Sequence, residues 1–306
     1  MRRPSVGVPL PFAGLACVVV LLAGLAAAPV AYSAFPGKNG RIYFESQPGG
    51  HPQIWSLRPR GRGLRRESHD SGSDFNPATS PNGKWFAFDH SRGGRSEIWK
   101  MHRNRDRRVI LAEDVGDEGS PSFSGPNGGR IAYSRAKHDR PHIWVMRADG
   151  SNHRALTHGP VSDGQPAFSP NGKLIAFTRQ RRISGNPQIM LMNARGHHVR
   201  RLTHIPGGAI LPTFAPSDRW IAFVSLARNN RQISVMRLDG SHAHRITPKG
   251  TDNLHPAFSP NGKRVAFERS APSGRSELYT VKRDAHHARR LTHSGWAEQP
   301  DWSVLP

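Results

Sequence analysis

The chain has 306 residues, with 44 Lys or Arg against 22 Asp or Glu, so its formal net charge is +22 at pH 7. This length is enough for one large domain with its own core, and the basic charge favours anionic partners. Arginine outnumbers lysine 36 to 8, a bias that genome composition also produces, so the charge alone does not define a ligand. The only cysteine, Cys17, lies in an N-terminal apolar segment, which excludes a fold held together by intramolecular disulfides.

The first 33 residues have the pattern of a secretory signal peptide. Arg2 and Arg3 form its charged start, residues 12–28 are an apolar run, and Ala31 and Ser33 are small residues at a cleavage site. The alternative is an uncleaved membrane anchor, for which the run is short. We therefore expect export to the periplasm, the cell envelope or the medium, with no membrane span after cleavage and no nucleic-acid partner.

A 12-residue phrase, Pro-x-Phe-Ser-Pro-Asn-Gly-Lys-x-Ile-Ala-Phe, recurs along the rest of the chain every 44 to 46 residues. A period of this size is typical of a repeat protein, in which each unit buries its apolar faces against its neighbours. The copies begin at Pro77, Pro121, Pro166, Pro212 and Pro256, and a truncated copy begins at Pro300.

One unit contains four predicted strands. Residues 167–169 form the first strand, and Pro170-Asn171-Gly172 supplies a tight hairpin turn in which glycine accepts a positive φ. Residues 174–177 are the second strand, residues 188–192 the third, and Leu202-Thr203 the fourth. Four antiparallel strands per unit, repeated around an axis, are typical of an all-β fold, the β-propeller.

The two ends of the repeat region complement each other. Residues 37–44 contain the turn and second strand of a unit, whereas residues 300–303 contain only a first strand. Pairing of these segments would close the ring and remove its two open sheet edges. The sequence thus predicts one domain over residues 34–306. This domain is a six-bladed β-propeller closed by N-terminal strands that pair with the C-terminal strand, and it is expected to be a monomer.

The repeat unit, with its downstream Ile-Trp and Leu-Thr pairs, resembles the TolB-type propeller repeat. That repeat is usually written with Asp where this chain has Asn82, Asn127, Asn171 and Asn261. The resemblance extends from Gly37 to Ser303 and implies an exported six-bladed TolB-like propeller. TolB itself carries an α/β domain before its propeller, for which we expect no room in this chain. Related repeats also precede the catalytic domain of prolyl-oligopeptidase-like peptidases, but no Gly-x-Ser-x-Gly motif is present.

Eight polar residues precede or begin the predicted first strands. The loops that lead into the first strands share one face of a propeller with the loops that join second and third strands, and we call this the loop face. The opposite face carries the hairpin turns and is the turn face. We expect a ligand-binding site at the channel mouth of the loop face, formed by Asp74, Asp117, Glu118, Asp163, Asp252, Asn253, His255 and Glu298.

Three carboxylates of this set, Asp74, Glu118 and Asp163, lie three residues before a repeat proline. We expect them to converge near the axis, and clustered carboxylates need a cation or solvent. One interpretation is a Ca²⁺ site, which takes six to eight oxygen ligands, and the other is a solvated rim or a set of turn caps. The 17 histidines show no metal-ligand spacing and are expected at the surface, except His255, which directly precedes a repeat proline.

Three functions agree with these features. The first is a non-enzymatic binding module whose loop face contacts an envelope or secreted protein, or an anionic cell-surface polymer. The second is a hydrolase or lyase that acts on an acidic saccharide at the channel mouth, with the carboxylates and His255 as its site. The third is a structural envelope component held by charge, which moderate salt would release. The candidate Ca²⁺ is the only cofactor that the sequence suggests.

Overall fold

The computed structural model describes residues 34–112, 117–137, 140–181, 185–226 and 230–306, and the predicted signal peptide lies outside them. The described residues form 24 strands in six four-stranded antiparallel sheets. The prediction of a six-bladed β-propeller is confirmed. Within these ranges, no helix has the length and apolar character needed to cross a membrane.

Blade 1 combines the two ends of the chain, and each other blade uses four consecutive strands. From the innermost strand outward, blade 1 contains β24 (Glu298–Val304), β1 (Asn39–Ser46), β2 (Gln53–Leu57) and β3 (Arg65–Arg66). Blade 2 contains β4 (Ser73–Thr79), β5 (Trp85–Arg92), β6 (Arg95–His102) and β7 (Arg108–Ala112). Blade 3 contains β8 (Asp117–Phe123), β9 (Arg130–Lys137), β10 (Arg140–Arg147) and β11 (Arg154–Ala155).

The remaining three blades follow the same order. Blade 4 contains β12 (Ser162–Phe168), β13 (Leu174–Gln180), β14 (Gln188–Asn193) and β15 (Arg200–Arg201). Blade 5 contains β16 (Ala209–Phe214), β17 (Trp220–Ser225), β18 (Gln232–Arg237) and β19 (His244–Arg245). Blade 6 contains β20 (Asp252–Phe258), β21 (Arg264–Ser270), β22 (Ser276–Lys282) and β23 (Arg289–Arg290).

The Ser-Pro-Asn-Gly-Lys segment forms the turn between the first two strands of a blade. In blade 4, Gly172 N donates to Ser169 O at 2.8 Å, and Gly172 has a φ of 70°. Asn171 Oδ1 accepts hydrogen bonds from Ser169 Oγ at 2.8 Å and from Lys173 N at 2.9 Å. The same bonds recur in blades 2 and 6. An Asp carboxylate would accept both bonds equally well, which explains why Asn can replace the usual Asp.

The core lies between neighbouring blades. The larger clusters of buried apolar side chains each join residues of adjacent sheets. Trp55, Trp99 and Trp144 are partly buried and pack against these clusters. Burial of one large apolar side chain contributes roughly 1.5–3 kcal/mol. The aromatic residue that ends each repeat phrase is at most 1% exposed in every blade, namely Phe44, Phe88, Tyr133, Phe177, Phe223 and Phe267.

The ring is closed by the pairing that the sequence predicts. β1 and β24 are antiparallel, with Ile42 opposite Trp302 and Tyr43 opposite Asp301. β24 also contacts the innermost strands of both neighbouring blades, β20 and β4. Asp301 Oδ2 accepts hydrogen bonds from Thr79 N at 2.7 Å and from Thr79 Oγ1 at 2.6 Å. The C-terminal strand therefore joins blade 1 to blade 2 through side-chain bonds as well as apolar packing.

Candidate functional site on the loop face

The first strand of every blade bends at the residue before its repeat proline. These six residues have positive φ angles between 50° and 63°, and each is at most 7% exposed. A residue before proline normally adopts an extended conformation, so this backbone costs on the order of 1 kcal/mol per blade and persists only where its surroundings hold it. The residues are Asn76, Ser120, Gln165, Leu211, His255 and Gln299.

At the bend, backbone N–H groups donate to side chains of the preceding blade. Ser120 N donates to the two carboxylate oxygens of Asp89, at 3.0 and 3.1 Å, and Gln165 N donates to Ser134 Oγ at 3.1 Å. These acceptors follow the aromatic residue of the repeat phrase on the second strand. That position forms a buried ring of mostly polar residues, namely Glu45, Asp89, Ser134, Thr178, Val224 and Glu268.

Asp163 shows how the predicted carboxylates are held. It is fully buried, and Arg179 of the same blade donates to it from Nε at 2.7 Å and from Nη2 at 2.8 Å. In three other blades the strand position opposite the residue equivalent to Asp163 also carries a basic side chain. The residues equivalent to Asp163 therefore form polar contacts within their own blades. The further pairs are Asp74 with His90 at 2.7 Å, Glu118 with Arg135 at 3.5 Å, and Asn253 with Arg269 at 3.1 Å.

The two predicted aspartates nearest the surface are in different settings. Asp117 is exposed. Asp252 is partly buried, and the Nε of Arg231, which directly precedes β18 of blade 5, lies 2.8 Å from both of its carboxylate oxygens. Asp252 therefore links two blades, and Asp117 alone of the eight predicted residues has its side chain largely in solvent.

His255 and Glu298 lie together with Glu268 in a buried acidic cluster. His255 Nδ1 is 2.7 Å from Glu268 Oε2, and their side chains are 7% and 4% exposed. Burial opposes ionisation of Glu268, but the neighbouring His255 holds its pKa below the usual range. Burial, followed by repulsion from Glu268, raises the pKa of Glu298. Burial, followed by Glu298 and Glu268, raises the pKa of Glu45 well above its usual value.

Two atoms of this acidic cluster lack a hydrogen-bond partner among the described residues, Glu45 Oε2 and His255 Nε2. Both residues are more than nine-tenths buried. A buried polar atom that lacks a hydrogen bond lowers the stability of the protein by about 1–3 kcal/mol. A ligand that donates a hydrogen bond or carries positive charge would therefore bind favourably here. A histidine oriented by a carboxylate, with its second nitrogen open, is also the arrangement of a general base.

The group of side chains with metal-ligand spacing in the described part of the chain is Asp70, Asp74 and His90. Their ligand atoms all lie within 4.8 Å of one another. Asp70 is also paired with Arg108. Two carboxylates and one imidazole are fewer than the six to eight oxygens that Ca²⁺ takes, and this donor set suits a transition metal better. Asp74, Glu118 and Asp163 do not form a group with this spacing. Ca²⁺ binding by these three residues stays a prediction.

A groove of about 750 Å³ lies near the acidic cluster on the loop face of blade 6, between a loop of blade 5 and the segment that leads into blade 1. Trp296 lines it with a 50% exposed side chain, and the backbone oxygen of Trp296 accepts a hydrogen bond from Ser46 Oγ. Arg269 also lines the groove, and its guanidinium lies 4.3 Å from the centre of the Tyr279 ring. Arg269 Nη2 is buried and has no hydrogen-bond partner among the described residues. The groove thus offers an exposed aromatic surface next to an incompletely satisfied cation.

Blade 5 has uncharged residues at the two positions that form the Asp163–Arg179 ion pair in blade 4. In blade 5 the equivalent positions are Ala209 and Ser225, which pair in the same strand register. Asp163→Ala should destabilise the protein by about 3 kcal/mol, because it leaves the partly buried Arg179 without its partner. The double variant Asp163→Ala/Arg179→Ser, which copies blade 5, should lose less. Urea unfolding of the single and double variants measures both values, and a larger loss in the double variant would contradict this account.

Several residues of the site were missed by sequence reasoning. Glu45, Asp89 and Glu268 each follow the aromatic residue of the repeat phrase, a recurring acidic position that the sequence does contain. His90 was expected at the surface but is 5% exposed, because it lies opposite Asp74 in the β4–β5 pair. Trp296 is not a repeat position, and no sequence pattern distinguishes it.

Comparison with known proteins agrees with this architecture of six four-stranded blades. The family model of the TolB beta propeller domain matches residues 27–158 and 104–306. The chain therefore belongs to the TolB β-propeller family.

Solved structures of similar fold include TolB from Acinetobacter baumannii, with 22% identity and a TM-score of 0.76 over 89% of this chain and 68% of that one. A putative TolB from Agrobacterium tumefaciens is 21% identical, with a TM-score of 0.66 over 83% of this chain and 88% of the other. An oligogalacturonate lyase in complex with manganese is 13% identical, with a TM-score of 0.55 over 84% of this chain and 74% of that one. At these identities the likeness concerns the fold.

Proposed function

We propose that the protein is an exported, non-enzymatic binding module that holds a segment of a partner protein in the loop-face groove. The signal-peptide pattern of residues 1–33 supports export to the periplasm, the cell envelope or the medium. The half-exposed Trp296 in a preformed groove carries the proposal. Tryptophan, tyrosine and arginine are the residues most enriched where protein partners gain their binding energy.

The groove suits a segment with an apolar side chain next to a carboxylate. Trp296 supplies an aromatic surface whose backbone is fixed by hydrogen bonds, so little conformational entropy is lost on binding. Arg269 and Arg275 line the same groove, and neither has a carboxylate within ion-pair distance among the described residues. Arg290, in contrast, is paired with Glu277 at 2.8 Å. An acidic group of the partner would therefore bind near Arg269 and Arg275.

Site-specific crosslinking in the native envelope tests this proposal. A photoreactive amino acid at position 296 should capture one dominant partner, and Trp296→Ala should weaken binding of that purified partner more than tenfold. The matched control is Ile110 in β7, whose side chain is 42% exposed and lies in another blade. Equal capture from positions 296 and 110, or an unchanged affinity of Trp296→Ala, would reject the groove as the binding site.

The His255–Glu268 pair supports a second candidate, a hydrolase or lyase that acts on an acidic saccharide. His255 Nε2 is the open atom that would accept a proton from a saccharide substrate, and Glu268 would stabilise the resulting imidazolium. The shared fold with an oligogalacturonate lyase makes oligogalacturonate a suitable first substrate for an assay. Turnover that is lost in His255→Ala but kept in His158→Ala, an exposed histidine outside the groove, would favour this candidate. Equal rates in both variants would reject it.

A further inference from the structure

The turn face contains a second pocket, of about 880 Å³, where blades 5, 6 and 1 meet. Six cationic side chains line it together with a single carboxylate, Asp284. We propose that this pocket is an anion-binding site for a ligand that carries more than one phosphate group. The six cationic residues are Arg60, Lys263, Arg264, Lys282, Arg283 and Arg289.

The positive charge of the pocket is not balanced by the protein. None of the six cations lies within ion-pair distance of a carboxylate in the described part of the chain. Arg264 Nη1 donates to Thr280 Oγ1 and to the His287 backbone oxygen, both at 3.2 Å, and Arg289 Nη2 donates to the Arg60 backbone oxygen at 3.0 Å. These acceptors are neutral. They orient the guanidinium groups but leave their charge available to an anion.

Arg283 occupies a turn position that varies between blades. This position holds Ala148, Ala194 and Leu238 in blades 3, 4 and 5, where the side chain is buried or packed against the core, and Arg103 in blade 2. In blade 6 the Arg283 guanidinium instead lies 4.9 Å from the centre of the Trp220 ring, on the wall between blades 5 and 6. A cation–π contact of this kind fixes the planar group without using its hydrogen-bond donors. Arg283 can therefore still bind an anion in the pocket.

The composition and size of the pocket favour phosphate groups. Arginine binds phosphate through two parallel hydrogen bonds, and lysine binds it as a point charge, so the mixture of four Arg and two Lys suits this group. One carboxylate would offset one of the positive charges, whereas a ligand with several phosphates can offset most of them. A volume of about 880 Å³ is near the upper end of the range for small-molecule sites and holds such a ligand.

Two sources share this chemistry, a free oligophosphate and a phosphodiester polymer. Calorimetric titration of the mature protein with tripolyphosphate and with a short poly(glycerol phosphate) distinguishes them. We expect at least one of the two to bind with one site per chain, and the tighter binder identifies the source. Poly-glutamate of equal charge should bind at least tenfold more weakly. If it binds as tightly as both phosphate probes, or if neither phosphate probe binds, the proposal is wrong.

A matched pair of double variants separates the pocket from the overall charge. Lys263→Glu/Lys282→Glu should raise the dissociation constant of the phosphate probe at least tenfold. Lys84→Glu/Lys173→Glu changes the net charge equally at exposed lysines in the repeat turns of blades 2 and 4, outside the pocket, and should change it less than threefold. Melting temperatures of both variants should match the parent, because all four residues lie at the surface. Equal weakening in the two variants would show binding by net charge alone and overturn the proposal.

Discussion

Deletion of residues 298–306 should abolish cooperative folding of the propeller. This deletion removes β24, the innermost strand of blade 1, and leaves β1 without its antiparallel partner. It also removes Trp302, which is 2% exposed and packs in the cluster that joins blades 6 and 1. Since β24 contacts β20 and β4, the loss opens the ring on both sides at once. Replacement of the single side chain, Trp302→Ala, should cost about 3–5 kcal/mol.

Calorimetry and size-exclusion chromatography measure this effect. The control is deletion of Leu305 and Pro306, which are exposed and lie beyond the end of β24. This shorter deletion removes one backbone hydrogen bond, from Leu305 N to Lys38 O at 2.8 Å, and should lower stability by about 1 kcal/mol. A folded 298–306 deletion variant with a sharp transition near the parental melting temperature would show that closure of the ring is not required for stability.

The fold was readable from the sequence because its signals are local and repeated. The Ser-Pro-Asn-Gly turn satisfies its own bonds within five residues, as Ser169, Asn171 and Gly172 show. The threonine of each Leu-Thr pair also has a local reason, because Thr203 Oγ1 accepts a hydrogen bond from Ile189 N of the adjacent strand at 2.9 Å. Strand count, strand order and closure follow from such units once they are recognised.

The candidate site was only partly readable, because its contacts depend on strand register and on neighbouring blades. Asp163 and Arg179 are 16 residues apart, and the same spacing joins Asp74 to His90 and Asn253 to Arg269. The sequence contains this signal, but strand ends must be known to within one residue before it can be used. The positive φ before each repeat proline contradicts the usual preference of that position, so no local rule predicts it.

The stability of the protein should fall as the pH rises from about 5 to 9. Burial, followed by repulsion from Glu118, raises the pKa of Asp89 to about 8, and burial raises the pKa of Asp301 to about 7. In the unfolded chain both carboxyls titrate near 3.9. Between these values the folded state binds protons that the unfolded state has released, so the free energy of unfolding decreases as the pH increases. Glu45, whose pKa burial also raises, contributes with the same sign.

Several groups oppose this trend on the acid side. Hydrogen bonds to Thr292 and Gly295 outweigh burial and lower the pKa of Glu277, and His255 lowers that of Glu268. These two carboxyls therefore lose stabilisation as the pH falls below about 4.5. Burial lowers the pKa of His142. This group therefore also reduces the stability of the protein as the pH falls below about 6.5. The greatest stability should consequently lie in the mildly acidic range, near pH 5.

Asp301→Asn isolates one of the contributing carboxyls. The amide oxygen can still accept the bonds from Thr79, but the side chain no longer ionises. A shift of about three pKa units corresponds to about 4 kcal/mol in all, but part of this is already lost at pH 5, where the carboxyl of the unfolded chain is largely ionised. Relative to the parent, the variant should therefore gain about 3 kcal/mol of stability between pH 5 and pH 9. Asp284→Asn, at a fully exposed position, is the control and should leave the pH profile unchanged. Urea unfolding at several pH values provides the profiles. A parental profile that rises from pH 5 to 9 would contradict the predicted trend, and an Asp301→Asn profile parallel to the parental one would show that folding does not raise the pKa of Asp301.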